Sequence, residues 1–239
     1  MRFARGEGER SDMESKTREK AVNKVRVWDF PTRFFHWSAA ALVFAMAGTG
    51  LTGGSAMRWH LPMGLALLAL LLARVAWGFF GSESARFSDF VKGPKQIKRY
   101  LKHEMTEAEQ PGHNPLGALE VVALIAVLLI QVCSGLFSAD VNTYIYNGYL
   151  AGWIDSSTAE KVTLFHSRLF LLLAALVILH ICAIFLYLFA RKLNLITPMF
   201  TGRKNIEGAA RPLKFEPVAK YWVILAVCAG VAVAIGSLS

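Results

Sequence analysis

Two histidines stand inside a long apolar run, KVTLFHSRLFLLLAALVILHICAIFLYLFARK, at 161–192. They are His166 and His180, fourteen residues apart. On a helix fourteen residues are close to four turns, so both imidazoles leave nearly the same face, about 21 Å apart along the axis. A run of this length and apolarity reads as a membrane span. Ionisable groups inside a span are costly and mark function. Two imidazoles on one face, one near each end of the apolar run, suggest two stacked sites across a bilayer.

The elements that must position such sites are legible in the composition. Of the 239 residues, 54% are hydrophobic, and the mean hydropathy is +0.41. An ordinary soluble domain is excluded and an integral membrane protein favoured. Spans are expected at 34–51, 60–80, 116–137 and 161–192, with a shorter fifth run at 221–238. Asp29 is the natural N-cap of the first span, with Pro31 in its first turn, where a missing N–H costs little. Residues 1–27 are polar, mixed in charge and poor in aromatics, and read as a disordered or weakly helical cytoplasmic tail. No apolar core of a cleavable signal peptide is visible there. The expected division is a tail at 1–27, a four-helix transmembrane domain at 28–205, and a basic linker with a C-terminal span at 206–239.

Charge sets the orientation. Nine Lys and Arg precede the first span, six lie at 82–115 and seven at 191–220, against one each, Arg58 and Lys161, in the alternate loops. The positive-inside rule then puts the N-terminus in the cytoplasm and, with five spans, the C-terminus outside. This asymmetry accounts for the net charge of +9 without nucleic acid. Tryptophans 28, 37, 59, 77 and 153 fall near the interfaces with membrane lipid, where aromatic belts form.

Order, orientation and helical rise then pair the histidines by depth. His36 begins the first span and matches His180 on the inner side. His60 begins the second and matches His166 on the outer side. A bis-histidine b-type haem needs two imidazoles from facing helices at one depth, and the chain offers two such pairs. Gly50, fourteen residues after His36, and Gly64, one turn after His60, leave gaps that suit a flat macrocycle, although helix packing alone also selects small residues. Arg74, fourteen residues after His60, lies on the same face at the inner level. A haem propionate is its natural partner, with Glu120 as the protein alternative. Arg33, one turn before His36, either does the same or snorkels to lipid phosphate. Structural zinc wants four ligands close together, and proton relays usually bring carboxylates, which the span centres lack. His103 and His113 lie in the basic loop, either as structural residues or as part of an inner quinone pocket. Cys133, Cys182 and Cys228 lie in apolar runs and read as small hydrophobes. No CxxCH occurs, so covalent haem attachment is not indicated.

Several stretches together resemble the prokaryotic cytochrome b561 family, which is similar to the b-type cytochrome subunits of nickel–iron hydrogenases. They are VWDFPTRFFHW at 27–37 with TG at 49–50, HLPMG with RVAWGFFGSESARFSDFVKGP at 60–94, and GHNPLGALE at 112–120. SGLF at 134–137, the His166/His180 pair and PMFTGRK at 198–204 complete the set. The resemblance implies an all-α integral membrane protein, a four-helix bundle binding two b-type haems. By it His36, His60, His166 and His180 are the iron ligands. It also implies electron transfer in the bacterial inner membrane between a periplasmic donor and the quinone pool. The donor would be a c-type cytochrome or a dehydrogenase or hydrogenase subunit. Alternatively it would be superoxide, drawn to Lys161 or Arg168 near the outer site. A rival from another class is a haem-free membrane anchor. The fifth span and the long tail depart from the compact family pattern.

Overall fold

The computed structural model describes residues 22–102, 104–106, 109, 111–140, 145–207 and 211–238. The tail at 1–21 and His103 lie outside the described residues. In chain order the elements are strand β1 (Val22–Arg26), helices α1 (Phe30–Thr52), α2 (Met57–Phe80), α3 (Phe87–Phe90), α4 (Pro94–Leu101), α5 (Pro115–Phe137), α6 (Ser156–Ala190) and α7 (Ile196–Thr201), strand β2 (Arg203–Glu207) and helix α8 (Val218–Gly236). Five of these helices, α1, α2, α5, α6 and α8, are long and apolar enough to cross a membrane. The protein is a multi-pass helical membrane protein, as expected from its sequence.

Each long helix starts on a local signal. Asp29 Oδ1 accepts the Thr32 N–H at 2.9 Å, with Pro31 in the first turn of α1. Asn114 Oδ1 accepts the Gly117 N–H at 2.8 Å ahead of α5, where Pro115 opens the helix. Asp155 accepts the Thr158 N–H at 3.0 Å and the hydroxyls of Ser157 and Thr158. These bonds satisfy donors that a helix start leaves open and push the Asp155 carboxyl well below its usual range. α1 stops at Gly53, whose φ of 65° suits only glycine without strain.

α1, α5 and the last part of the chain begin at one end of the bundle, where the Lys- and Arg-rich loops gather; this is the basic end. The opposite end carries the turn after α1 and the loop before α6. The closely packed helix pairs are α1–α2, α2–α5, α5–α6 and α2–α8. α6 against α1 and α6 against α2 are not among the closely packed pairs of the described residues. The main core runs from mid-height toward the end away from the basic loops: Ala39 of α1, Leu67, Leu68 and Leu71 of α2, Leu128, Val132 and Leu136 of α5, and Leu173 of α6. A second cluster, Ala73, Trp77, Ala85 and Tyr221, seats α8 against α2. At the other end of α8, a Cβ on Gly236 would meet Leu65 at 2.7 Å, so the fifth helix lies along most of the length of α2.

Two differences from the sequence reading concern the basic end. Residues 22–26 are not part of a disordered or weakly helical tail. They pair antiparallel with 203–207, Val22 opposite Glu207 and Arg26 opposite Arg203. The pairing joins segments about 180 residues apart, which no local pattern announces. The chain then crosses itself: Val27 and Trp28 donate their N–H groups to Gly202 O at 2.8 and 3.1 Å. Gly202 is left-handed, and a Cβ there would sit 2.7 Å from Trp28 O, so only glycine allows the crossing.

The linker before α8 is strapped to the loop after α2. Glu83 N–H donates to Lys214 O at 3.0 Å, the Lys214 N–H returns to Glu83 Oε2 at 3.0 Å, and Arg211 pairs with Glu83 Oε1. Ser82 Oγ accepts the Glu216 N–H at 3.1 Å. The Lys214 N–H, seconded by Arg211, holds the Glu83 carboxyl below its usual value against the opposing effect of burial. The strap is therefore at full strength above the unfolded glutamate value of about 4.3 and weakens as pH falls through the lowered folded value.

Asp29 also joins α1 to α2, since its Oδ2 accepts from Trp77 Nε1 at 2.8 Å in a fully buried position. Asp29→Ala removes the cap and orphans the indole N–H. It is expected to destabilise the protein by about 2–4 kcal/mol, read as a lower unfolding midpoint in detergent. Glu83→Gln is expected to speed tryptic cleavage after Lys214 several-fold at neutral pH, read by mass spectrometry of the fragments.

Candidate functional site

The four histidines of the spans meet in two pairs. His36 of α1 and His180 of α6 face each other near the basic end with ring centroids 6.3 Å apart. His60 of α2 and His166 of α6 do so near the opposite end, at 6.4 Å. Both pairs bridge helices that do not pack closely, so α6 approaches α1 and α2 across a gap at each level. The separations are chemically specific. A metal–imidazole bond is about 2.0–2.1 Å, and with about 1.1 Å from nitrogen to ring centre on each side, two such bonds span about 6.3 Å. Among the described residues no three His, Cys, Asp or Glu side chains converge, so the imidazoles come as pairs.

At the end opposite the basic one, both rings are held by the same device. His60 Nδ1 lies 3.1 Å from Met46 O and 3.1 Å from Thr49 Oγ1, and a Cβ on Gly50 would sit 3.2 Å from its Cε1. His166 Nδ1 lies 2.9 Å from Gln131 O and 3.1 Å from Ser134 Oγ, and a Cβ on Gly135 would sit 3.0 Å from its Cε1. In each case one turn of the neighbouring helix offers a carbonyl, a hydroxyl three residues on and a glycine four residues on. The carbonyl takes the Nδ1 proton, which leaves the lone pair on Nε2, the atom that can bind a metal. On His166 that lone pair faces the Gln131 amide, whose Nε2 sits 3.2 Å from His166 Nε2 and 3.1 Å from His166 O, so the amide must turn aside before a metal binds there.

The basic-end pair is held differently. His36 Nδ1 is buried without a hydrogen-bond partner, and its ring meets the edge of Trp37 at 4.8 Å. His180 Nδ1 lies 3.4 Å from Glu120 Oε2 of α5. Arg74 is 2% exposed, donates to Ala85 O at 3.2 Å and lies over the Phe87 ring at 5.4 Å. The charges of Asp29 and Tyr221 act on it. His113 is wedged between Trp28 and Phe90, with centroids 4.5 and 4.7 Å away. Burial first, then Arg74 and His180, push it down to about 3, so it is neutral at physiological pH. It lines a cavity of about 130 Å³ with Glu83, Ser84 and Arg211.

The remaining sequence candidates separate. Gly50 is the close seat of His60, whereas a Cβ on Gly64 would only touch Met46 Cε at an ordinary 3.5 Å. Arg33 binds Phe200 O and, at 3.3 Å, Asp29 O, and so ties α1 to the segment after α6. The sequence reading missed Gly135, Ser134, Thr49 and the two carbonyls as ring holders. The available signal was the repeated hydroxyl–glycine step, Thr49–Gly50 and Ser134–Gly135, near the end of two spans.

Comparison with known proteins bears on this arrangement. The chain is 25% identical over 175 residues to the probable Ni/Fe-hydrogenase B-type cytochrome subunit of Azotobacter vinelandii, covering 61% of this chain and 72% of that protein. It is 25% identical over 221 residues to the protein of that name from Rhizobium leguminosarum bv. viciae, covering 78% and 92%. No solved structure matches the chain at a significant level. Residues 27–202, which include both histidine pairs, match the family described as prokaryotic cytochrome b561, and the chain belongs to that family.

Proposed function

We propose that this b-type cytochrome carries electrons across the membrane through two haems, one between His36 and His180 and one between His60 and His166. The observation that carries the reading is the pair of imidazole separations, 6.3 and 6.4 Å, each across a gap between helices. A further feature fits the same reading: glycines 50 and 135 stand where any side chain would press on the His60 or His166 ring. A haem held by each histidine pair would supply one-electron chemistry, and two imidazole ligands would favour electron transfer over oxygen binding.

The protein's own groups do the rest. Met46 O and Gln131 O orient the rings at the end away from the basic loops. Arg74 has five N–H donors, and its described hydrogen bond goes to Ala85 O; the others suit a propionate anion. Arg33 closes the basic end through Phe200 O and Asp29 O, and Arg74 is the arginine assigned to the cofactor. Between the two levels Leu173, Leu67 and Leu71 belong to the buried apolar core.

The basic end faces the cytoplasm by the positive-inside rule. The donor then docks at the periplasmic face, near His60 and His166. The names of the relatives favour a hydrogenase or dehydrogenase subunit as that donor over a small molecule. Membrane quinone is the electron acceptor.

Dithionite-reduced, purified protein is expected to carry two b haems per chain. His180→Ala should remove the basic-end spectral component and His166→Ala the other; loss of one and the same component from both variants contradicts the pairing. Gly135→Val should disturb the His60–His166 component alone, because the new side chain presses on the His166 ring. Equal disturbance of both components in a redox titration argues against that seat.

A further inference from the structure

The two sites differ in what stands behind their rings. The Nδ1 atoms of His60 and His166 meet neutral partners, peptide carbonyls and hydroxyls. Behind His180 stands a carboxylate. Glu120 Oε2 is 3.4 Å from His180 Nδ1, within ion-pair range and short of an aligned hydrogen bond. Its other oxygen, Oε1, is buried with no hydrogen-bond partner, as is His180 Nδ1. Each group therefore has an unmet need that a small rotation of either side chain meets. A carboxylate in an apolar bundle is expensive unless something accepts its charge or hydrogen bonds.

We propose that Glu120 is a positioning residue for the basic-end haem, taking the Nδ1 proton of His180 as a hydrogen bond and holding that haem at a lower reduction potential than a neutral acceptor would. The inference rests on His36 and His180 as the axial ligands. A carboxylate behind an imidazole raises its basicity as a ligand, and a more electron-rich ligand favours ferric over ferrous iron. The effect is local. Glu120 serves one ring of one pair, and the His60–His166 pair lies about 21 Å away along α6. Arg74 and His113 are also charged or titratable groups at this end, His113 interacting with both Arg74 and His180. Both are unchanged when only Glu120 is altered, so the comparison isolates the carboxylate. A purely structural role, holding α5 to α6, would leave the potential where it is.

The test is a spectroelectrochemical titration of the purified, haem-loaded chain beside Glu120→Gln and Glu120→Asp. The basic-end component is identified as the one that His180→Ala removes. In Glu120→Gln that component is expected to rise by at least a tenfold change in the oxidised-to-reduced ratio, about 59 mV for one electron, while the other stays in place. Glu120→Asp draws the acceptor back by one methylene and is expected to raise the same component by less. It supplies the reading by itself should Glu120→Gln lose haem. Two haem components with unmoved potentials in these variants, or an equal movement of both, overturn the role of Glu120 alone. A wild-type protein without haem, or a His180→Ala variant that keeps both components, overturns the ligand reading on which it rests.

Discussion

Leu173 lies seven residues from His166 and seven from His180, two helical turns either way. That interval puts three side chains of α6 in one line, and the rest of the bundle depends on the line. Leu173 is buried and belongs to the apolar cluster that also holds Leu67, Leu68, Leu71, Ala39, Leu128 and Val132. Above and below it the same face presents an imidazole to an imidazole. Most of the remaining surface of α6 is apolar and exposed, as a lipid-facing helix should be. α6 thus joins the apolar core at one point and faces α1 and α2 across a gap at two polar ones. A helix tilted or rotated by one residue, about 100°, would lose all three contacts together.

The apolar surroundings explain how the rings are held. Inside a bilayer an unpartnered N–H has no water to turn to, so each imidazole must be oriented by its neighbours. Thr49 and Ser134 do this without disrupting their own helices, because their hydroxyls also bond carbonyls three or four residues back. Gly50 and Gly135 let the rings come close enough for those contacts. The use of one device on α1 and again on α5 makes the two helical hairpins equivalent at that end. Equivalence stops at the basic end. Fourteen residues past His60 stands Arg74, and fourteen past His166 stands His180. There α2 supplies a cation and α6 a ring.

The basic end is also where the chain closes on itself. Asp29 caps α1 and holds Trp77, Arg33 reaches Phe200, and the strands at 22–26 and 203–207 bring the two flanks of the transmembrane core together. α8 is part of this closure. Tyr221 is fully buried beside Trp77 and Ala73, so the fifth helix is a wall of the bundle rather than a loose appendage.

The sequence by itself determined the spans, the Asp29 cap and the heights of the histidines. Apolar length, Asp29 and a fourteen-residue interval are local quantities, and helical rise converts them directly into depth. It also carried the family likeness across 27–202. Rotation about each helix axis is a different kind of quantity, decided only when side chains of distant segments pack. Tertiary structure alone therefore turned Gly50 toward His60 and left Gly64 against a methionine. It also set Glu120 behind His180 instead of beside Arg74, and drew 22–26 out of a polar tail into a strand. Each depends on a partner ten or more residues away, and sequence spacing carries no record of which face that partner will meet.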